Sequence, residues 1–196
     1  MNILVTGSNG FLGKHLMLLL PGAYGVPSQT YDLRGFANID ALFHHAKPDV
    51  IFHLAADVGG LSYNLGNPAH IYYNNVMMNT QLIQRAALSG VKKFVFVSSA
   101  CAYPKYNPLP TREHCLFNGL PEESNLSYGI SKRMALVQLQ ACYQQYGMDF
   151  SYPVLANLYG PGDYFGENRS HVIPALVKRF VEADDRVSVW GDGFGS

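Results

Sequence analysis

Charged side chains are scarce in this sequence of 196 residues. Lysine and arginine together number 14, aspartate and glutamate together number 14, and the formal net charge is zero. No long basic run interrupts the chain, so the electrostatic footprint of a nucleic-acid-binding protein is missing. We therefore expect a small-molecule ligand and no nucleic-acid partner.

Long hydrophobic runs are also missing. The stretch MNILVTGSNG has neither the basic segment nor the apolar segment of a secretory signal. The longest aliphatic stretch, Leu16 to Leu20, is far shorter than the roughly 20 residues that a membrane-spanning helix needs. These absences favour a cytoplasmic protein with no membrane partner.

Cysteine is rare, with three residues at Cys101, Cys115 and Cys142. An odd number of cysteines without an export signal argues against a disulfide framework. Neither the cysteines nor the seven histidines show the spacing of metal ligands, so we predict free thiols and no metal site. A free cysteine is usually a small buried hydrophobic residue, which is our interpretation of Cys115 and Cys142.

Short apolar runs alternate with segments of helical periodicity along most of the chain. This alternation predicts an α/β fold with a doubly wound parallel sheet, because parallel neighbours need crossover helices. Residues 1–156 are expected to form this domain, and 157–196 to begin a smaller, truncated substrate-binding domain. The predicted strands are Ile3–Val5, Val50–Leu54, Phe94–Val97, Phe150–Leu155 and Val187–Trp190, and the predicted helices are Phe11–Leu20, Pro68–Leu88, Tyr128–Tyr146 and Val172–Ala183.

The stretch TGSNGFLG lies between the first predicted strand and helix and spaces Gly7, Gly10 and Gly13 as GxxGxxG. Glycines there allow a tight turn and close backbone approach to a pyrophosphate, while the first amides of the helix, at Phe11 and Leu12, are unpaired. A simple turn is the alternative, but the strand before and the helix after disfavour it. We predict a dinucleotide-binding Rossmann domain.

The segment GAYGVPSQTY, residues 22–31, contains no acidic residue. An enzyme specific for NAD commonly places an acid at the end of the second strand to bind the ribose hydroxyls. Its absence favours NADP over NAD, with Ser28 and Arg34 as candidates for the 2′-phosphate. Asp32 is expected beside the adenine or as an ordinary loop residue.

The pentapeptide YGISK places Tyr128 and Lys132 four residues apart on one helical face. An ammonium beside a phenol lowers its pKa from about 10, which lets the phenol exchange a proton with a substrate oxygen. Ser99 ends an apolar run at the sheet edge where such folds bind ligands, and its hydroxyl can reach the same oxygen. A serine that only caps its own backbone is the alternative.

These motifs, with VGG (58–60), SSACAYPK, YGISKRM, NLYGP and SHVIPAL (170–176), resemble the GDP-L-fucose synthase family of extended short-chain dehydrogenases/reductases. The likeness spans nearly the whole chain. It implies NADPH-dependent 3,5-epimerisation and 4-keto reduction of GDP-4-keto-6-deoxy-mannose, with Lys132 also among the cofactor-binding residues. It further implies a homodimer built from the two long helices.

The resemblance assigns roles to residues that spacing alone does not explain. Cys101 and His171 are implied as the base and acid of epimerisation, and Asn157, Lys178 and Arg179 as contacts to the GDP-sugar. A buried thiol, a surface or capping histidine and a solvated basic pair are the respective alternatives. If the strand continues past Ser99, period-two alternation places Cys101 on the same side as Ser99.

The chain departs from the family pattern around NLYGP. Ala156, Gly162 and Tyr164 replace a threonine, a histidine and an asparagine, which leaves the identity of the sugar open. Trp190 is interpreted as a core residue or as a contact to the nucleotide.

Three other functions remain open. Two are enzymatic: a GDP-mannose 3,5-epimerase, and a 4-ketoreductase without epimerase activity. The third is a non-catalytic dinucleotide sensor on the same fold. The complete set of Ser99, Tyr128 and Lys132 disfavours the sensor, which needs no proton donor.

Overall fold

The computed structural model describes residues 1–27, 29–166 and 170–189. Its strands are β1 (Ile3–Thr6), β2 (Tyr24–Val26), β3 (Val50–His53), β4 (Lys93–Phe96), β5 (Ser98–Ser99), β6 (Asp149–Ser151) and β7 (Val154–Leu155). Its helices are α1 (Phe11–Leu19), α2 (Phe36–Ala46), α3 (Leu61–Gly66), α4 (Pro68–Leu88), α5 (Leu126–Tyr146) and α6 (Val172–Glu182).

The predicted parallel sheet is confirmed. Five strands run in the order β2-β1-β3-β4-β6, and every neighbouring pair is parallel. The order reverses at β1, which has β2 on one side and β3 on the other. Ligands of open α/β sheets bind at such a reversal, beyond the carboxyl ends of the strands.

A proline divides the predicted strand Phe150–Leu155 into two. β6 ends before Tyr152-Pro153, and β7 then pairs with β5 in a separate two-stranded sheet. Pro153 has no amide hydrogen to donate to a ladder, but its carbonyl accepts a hydrogen bond of 2.9 Å from the Ser98 amide. The predicted strand at Val187 is wrong for residues 187–189, which form no strand, and Trp190 lies outside the described residues.

The core lies between the sheet and helices α2, α4 and α5. Leu42, Leu82 and Leu139, one from each helix, are fully buried against strand residues such as Ile51 and Phe94. Each such side chain contributes about 1.5–3 kcal/mol through burial. α4 and α5 also pack along each other, which fixes the start of α5 relative to the sheet.

A chain of buried polar side chains crosses the core. The Thr6 hydroxyl is 2.7 Å from His53 Nδ1, and His53 Nε2 is 3.0 Å from Asn79 Oδ1. Asn79 Nδ2 in turn donates to the Ser131 carbonyl at 3.4 Å. Burial lowers the pKa of His53 to about 3, so the imidazole is neutral and connects β1, β3, α4 and α5.

Within the described residues, no helix is both long enough and apolar enough to span a bilayer.

Candidate active site

The glycine loop after β1 has the shape expected of a pyrophosphate cradle. Gly7 has φ +70°, and a Cβ added there would lie 2.8 Å from the Ala55 amide nitrogen. A Cβ on Gly13 would overlap the Gly7 carbonyl oxygen and lie 2.8 Å from Ser8 Cα. Gly10 caps α1 without a side-chain hydrogen bond, so the amides of the first helical turn can bind an anion. These residues therefore fit a dinucleotide cofactor.

Arg34, one of the two residues predicted to bind the 2′-phosphate, lies in the loop after β2 and binds neighbouring side chains instead. Arg34 Nε and Nη2 donate to the two carboxylate oxygens of Asp32, both at 2.8 Å, and Nη1 donates to Asn74 at 3.0 Å. These hydrogen bonds lower the pKa of Asp32 to about 2. The guanidinium is thus already paired, and Ser28 lies outside the described residues.

Tyr128 and Lys132 share one face of α5, as predicted. Lys132 Nζ lies 5.3 Å from the centroid of the Tyr128 ring and donates a 2.9 Å hydrogen bond to the Val97 carbonyl. The lysine is almost fully buried, and burial lowers its pKa to about 7. The ammonium is therefore fixed at the end of β4, beside the phenol.

The expectation that the pKa of Tyr128 is lowered is wrong. Burial raises this pKa, with further contributions from Cys101 and Tyr152. Desolvation is the largest cause, because the Tyr128 side chain is itself buried and burial penalises the charged phenolate. A phenol that stays protonated at neutral pH is suited to donate a proton to a substrate oxygen.

Ser99 and Cys101 do not continue one strand. β5 ends at Ser99, and a 3₁₀ turn follows over Ala100–Ala102. The Ser99 hydroxyl oxygen accepts a 3.2 Å hydrogen bond from the Cys101 amide, so the backbone-capping alternative is what the structure contains. The prediction that strand alternation aligns the two side chains is wrong, but the hydroxyl hydrogen remains available as a donor.

The three cysteines differ in exposure. Cys115 and Cys142 are buried free thiols, as predicted, whereas Cys101 is a half-buried free thiol. The Cys101 turn lies close to α5, because a Cβ added to Gly129 would lie only 2.5 Å from the Cys101 carbonyl oxygen. The structure thus brings Ser99, Cys101, Tyr128 and Lys132 to one place.

Arg133 was not identified from the sequence, although it follows Lys132 directly in YGISKRM. Its guanidinium is buried and donates two 2.6 Å hydrogen bonds, from Nε to the Ala102 carbonyl and from Nη1 to the Gly119 carbonyl. Its charge also lies 5.8 Å from the centroid of the Phe117 ring. Arg133 therefore ties α5 to the carboxyl end of the Cys101 turn.

We expect Arg133→Ala to lower the free energy of unfolding by about 2–4 kcal/mol, because it leaves two carbonyls without their donor. Arg133→Lys should recover part of this loss, since an ammonium can still donate. Urea denaturation followed by circular dichroism measures both. Arg112→Ala, which removes an exposed arginine, is the control and should change stability by no more than about 0.5 kcal/mol. An equally small effect of Arg133→Ala would contradict this role.

The other residues to which the resemblance assigned a role, in substrate binding or as the acid of epimerisation, lie outside the group around Tyr128. Lys178 and Arg179 of α6 line a cavity of about 620 Å³ together with Gly60 of the VGG motif. His171 is the exposed N-cap of α6 and makes no side-chain capping bond. Asn157 is also exposed. Among the described residues, no hydrogen bond or ring contact joins His171 or Asn157 to the group around Tyr128.

The basic pair on α6 already has partners. Lys178 Nζ lies 4.0 Å from Glu182 one turn along the helix, and Arg179 donates to the Ser188 carbonyl. A ligand in this cavity would have to compete with both contacts.

The family model of the NAD dependent epimerase/dehydratase family matches residues 3–195. The chain belongs to this family. Its family membership agrees with the enzyme class expected from the sequence.

Individual relatives are similar over most of the chain. GDP-L-fucose synthase of Sinorhizobium fredii is 35% identical over 199 residues, which cover 97% of this chain and 63% of that protein. GDP-L-fucose synthase of Escherichia coli is 38% identical over 155 residues, covering 77% and 48%. The resemblance found in the sequence is thereby confirmed. The chain spans less than two thirds of the length of these curated relatives.

Solved structures give the same result. The GDP-L-fucose synthetase of Naegleria fowleri bound to NADP superposes with a TM-score of 0.83 and 30% identity, covering 98% of this chain and 66% of that one. A GDP-D-glycero-L-gluco-heptose synthase of Campylobacter jejuni, solved in the presence of NADPH, gives 0.85 and 30%, covering 91% and 54%. The expected Rossmann-type fold is confirmed, and a nicotinamide dinucleotide is supported as the cofactor class.

Proposed function

We propose that this chain belongs to an NADPH-dependent enzyme that epimerises and then reduces GDP-4-keto-6-deoxy-mannose to GDP-L-fucose. The observation that carries the proposal is the buried Tyr128–Lys132 pair, packed against the Cys101 turn at the end of β4. Residues 1–156 would hold the cofactor, and 157–196 would begin the substrate-binding domain.

Epimerisation needs a base and an acid beside a ketone. The C4 ketone acidifies the hydrogens on C3 and C5, and the thiolate of Cys101 removes one of them while His171 supplies a proton to the opposite face. Hydrogen bonds from Ser99 and Tyr128 stabilise the enolate oxygen as charge develops on it. This assignment requires His171 to approach the Cys101 turn when substrate is bound.

Reduction uses the same oxygen. The Gly7–Gly13 loop and Lys132 would hold a nicotinamide dinucleotide, which would supply the hydride for C4 when bound. Tyr128 gives its phenolic proton to the C4 oxygen. Because its pKa is raised, the phenol is still protonated at neutral pH when the substrate binds. Lys132 then limits the cost of the phenolate that is left behind.

The GDP moiety would occupy the cavity beside α6. Arg179 offers a bidentate guanidinium and Lys178 a point charge to the diphosphate, with Asn157 contacting the sugar. Gly60 of the VGG motif lines the same cavity. The VGG and SHVIPAL motifs, both part of the resemblance, therefore line one cavity.

A 4-ketoreductase without epimerase activity is the second candidate. Among the similar solved structures are a GDP-6-OMe-4-keto-L-xylo-heptose reductase and a GDP-mannoheptose C4 reductase, both of Campylobacter jejuni. Gly162 and Tyr164, which replace a histidine and an asparagine of the family pattern, also favour a different sugar. A GDP-mannose 3,5-epimerase and a dinucleotide sensor are less favoured than this reductase.

Deuterium uptake separates these functions. The chain is incubated with NADPH and GDP-4-keto-6-deoxy-mannose in heavy water, and uptake at C3 and C5 is read by NMR beside nicotinamide absorbance. We expect uptake at both carbons, and Cys101→Ser should slow it by about 10²- to 10⁴-fold. Cys142→Ala, which alters a buried thiol, should leave the uptake rate unchanged.

Other outcomes would redirect the assignment. NADPH consumption without deuterium uptake would favour the 4-ketoreductase. Uptake without net consumption would favour a 3,5-epimerase. If the chain binds NADPH yet does neither, the assay is repeated with a chain of the relatives' full length, and the sugar assignment is wrong if that chain does neither as well.

A homodimer through α4 and α5 is part of the same proposal. The outward faces of these helices carry exposed apolar side chains, among them Tyr73, Val137 and Tyr143. Size-exclusion chromatography with light scattering should give twice the mass of one chain, and a monomer would remove this part of the proposal.

A further inference from the structure

Tyr152 lies between β6 and β7, at the break between the two sheets. Its hydroxyl oxygen accepts a 2.8 Å hydrogen bond from Ser98 Oγ, and the same hydroxyl donates a 2.9 Å hydrogen bond to the Lys132 carbonyl. Ser98 precedes Ser99 in β5, and Lys132 lies in α5. One phenol therefore joins the strand that carries Ser99 to the helical turn that carries Lys132.

The backbone beside Tyr152 holds the same strand. The Pro153 carbonyl accepts a 2.9 Å hydrogen bond from the Ser98 amide, so Ser98 is bound through both its amide and its hydroxyl. Ser98 is only 3% exposed, and its hydroxyl would lose its partner without Tyr152 Oη. A buried hydroxyl without a partner is costly, because water is not there to replace the lost bond. The position of Ser99, the next residue, thus depends on Tyr152 and Pro153.

Aromatic packing connects Tyr152 to the other end of the lysine. The Tyr152 and Phe96 rings stack at an interplanar angle of 5°, with their centroids 5.6 Å apart. The Lys132 ammonium lies 4.7 Å from the centroid of the Phe96 ring, which is a cation–π distance. Tyr152 therefore supports Lys132 at two points, at its carbonyl through a hydrogen bond and at its ammonium through the Phe96 ring.

The protonation state of Tyr152 suits this role. Burial raises the pKa of Tyr152 to about 12, so the hydroxyl keeps its hydrogen at neutral pH. A protonated phenol can donate one hydrogen bond and accept another at the same time, and Tyr152 does both. Because its hydrogen is already bound to the Lys132 carbonyl, this hydroxyl is suited to holding its neighbours and not to proton transfer.

We infer that Tyr152 is a positioning residue, which fixes Ser99 and Lys132 relative to Tyr128. With this geometry the hydroxyls of Ser99 and Tyr128 bind one substrate oxygen, and the Lys132 ammonium stays beside the phenol. Reaction rates fall steeply when such groups are displaced, and an error of about 1 Å can cost roughly a hundredfold. The inference rests on the proposed function, because it concerns the residues that act on the C4 oxygen.

Tyr152→Phe tests this role, because it removes the hydroxyl and keeps the ring that stacks on Phe96. The rate of NADPH oxidation at varied concentrations of the GDP-4-keto sugar gives kcat and KM, calorimetric titration gives the dissociation constant for NADPH, and circular dichroism gives the Tm. The double variant Ser98→Ala/Tyr152→Phe removes both partners, so that no buried hydroxyl is left unpaired. Tyr146→Phe, the same chemical change at the exposed end of α5, is the matched control.

We expect Tyr152→Phe to lower kcat by about tenfold to a hundredfold. KM for the sugar and the dissociation constant for NADPH should stay within about twofold, because Tyr152 binds neither ligand. The Tm should fall by about 2–8 °C, since the Ser98 hydroxyl loses its partner. The double variant should regain most of this Tm and still keep the low kcat, because Ser99 and Lys132 are no longer joined. Tyr146→Phe should change none of these quantities.

Three results would overturn the inference. If kcat recovers together with the Tm in the double variant, Tyr152 contributes to stability alone. An unchanged kcat in Tyr152→Phe, or a raised KM in place of a lowered kcat, would also exclude a positioning role. Each of these results would leave the proposed function intact. By contrast, no turnover of the sugar by the unaltered chain, nor by a chain of the relatives' full length, would overturn the proposed function and this inference with it.

Discussion

Tyr128→Phe should reduce the rate of NADPH oxidation with the GDP-4-keto sugar by about 10²- to 10⁴-fold, the range for loss of a positioned proton donor. The substitution removes one oxygen and keeps the ring that packs against Lys132. Because burial raises the pKa of the phenol, Tyr128 is protonated at neutral pH and loses this proton only as the C4 oxygen takes it. Stopped-flow absorbance of the nicotinamide measures the rate.

Binding and stability separate a chemical role from a structural one. Tyr128→Phe should leave the dissociation constant for NADPH and the Tm almost unchanged, since no hydrogen bond of its hydroxyl to the described residues is lost. Tyr146→Phe, which makes the same chemical change at the exposed end of α5, is the matched control and should keep full activity. Unchanged turnover in Tyr128→Phe would show that another group donates the proton.

Gly13→Ala is the substitution expected to damage the cofactor site most. The added methyl group would overlap the Gly7 carbonyl oxygen and approach Ser8 Cα, and both are backbone atoms that cannot rotate away. The glycine loop must therefore move. We expect a loss of about 1–3 kcal/mol in the free energy of unfolding. The dissociation constant for NADPH should rise about tenfold or more, because a displaced loop loses at least one hydrogen bond to the pyrophosphate.

Gly22→Ala is the control for this substitution. A Cβ added to Gly22 meets no atom within 4 Å, so stability and NADPH binding should both be retained. Urea denaturation and calorimetric titration measure the two effects independently. If Gly13→Ala bound NADPH as tightly as Gly22→Ala does, the close approach of α1 to the loop would not be needed for the cofactor.

The sequence predicts the long elements well because their signals are local and repeated. α4 begins at Pro68 and ends at Leu88, as predicted, and its proline lies in the first helical turn, where a missing amide hydrogen costs no hydrogen bond. α5 begins two residues earlier than predicted and ends at Tyr146, before Gly147 with φ +71°. Such patterns depend on the residue and its near neighbours alone.

The parts that were missed depend on contacts between distant segments. The short β2 is only three residues long and gains its ladder from β1. The turn that carries Cys101 replaces a strand because the Ser99 hydroxyl oxygen accepts a hydrogen bond from the Cys101 amide and because Arg133 Nε donates one to the Ala102 carbonyl. No periodicity in the sequence predicts that Arg133 donates to the carbonyls of Gly119 and Ala102, which are 14 and 31 residues away.

The candidate site shows the same division. The glycine spacing and YGISK are local motifs, and the structure gives both the geometry expected of them. The direction of the Tyr128 pKa was predicted wrongly because it depends on how deeply the phenol is buried, which four-residue spacing does not reveal.

The polar chain from Thr6 through His53 and Asn79 to Ser131 bears on how the molecule opens. It joins the strand that precedes the glycine loop to the helical turn that carries Lys132, and every link is buried. Parting these elements would expose several hydrogen-bonding groups at once, so neither end can loosen without the other. We therefore expect the strand before the glycine loop and the helical turn that carries Lys132 to open as one cooperative unit, so that their amides exchange with solvent through global unfolding and not through local fraying.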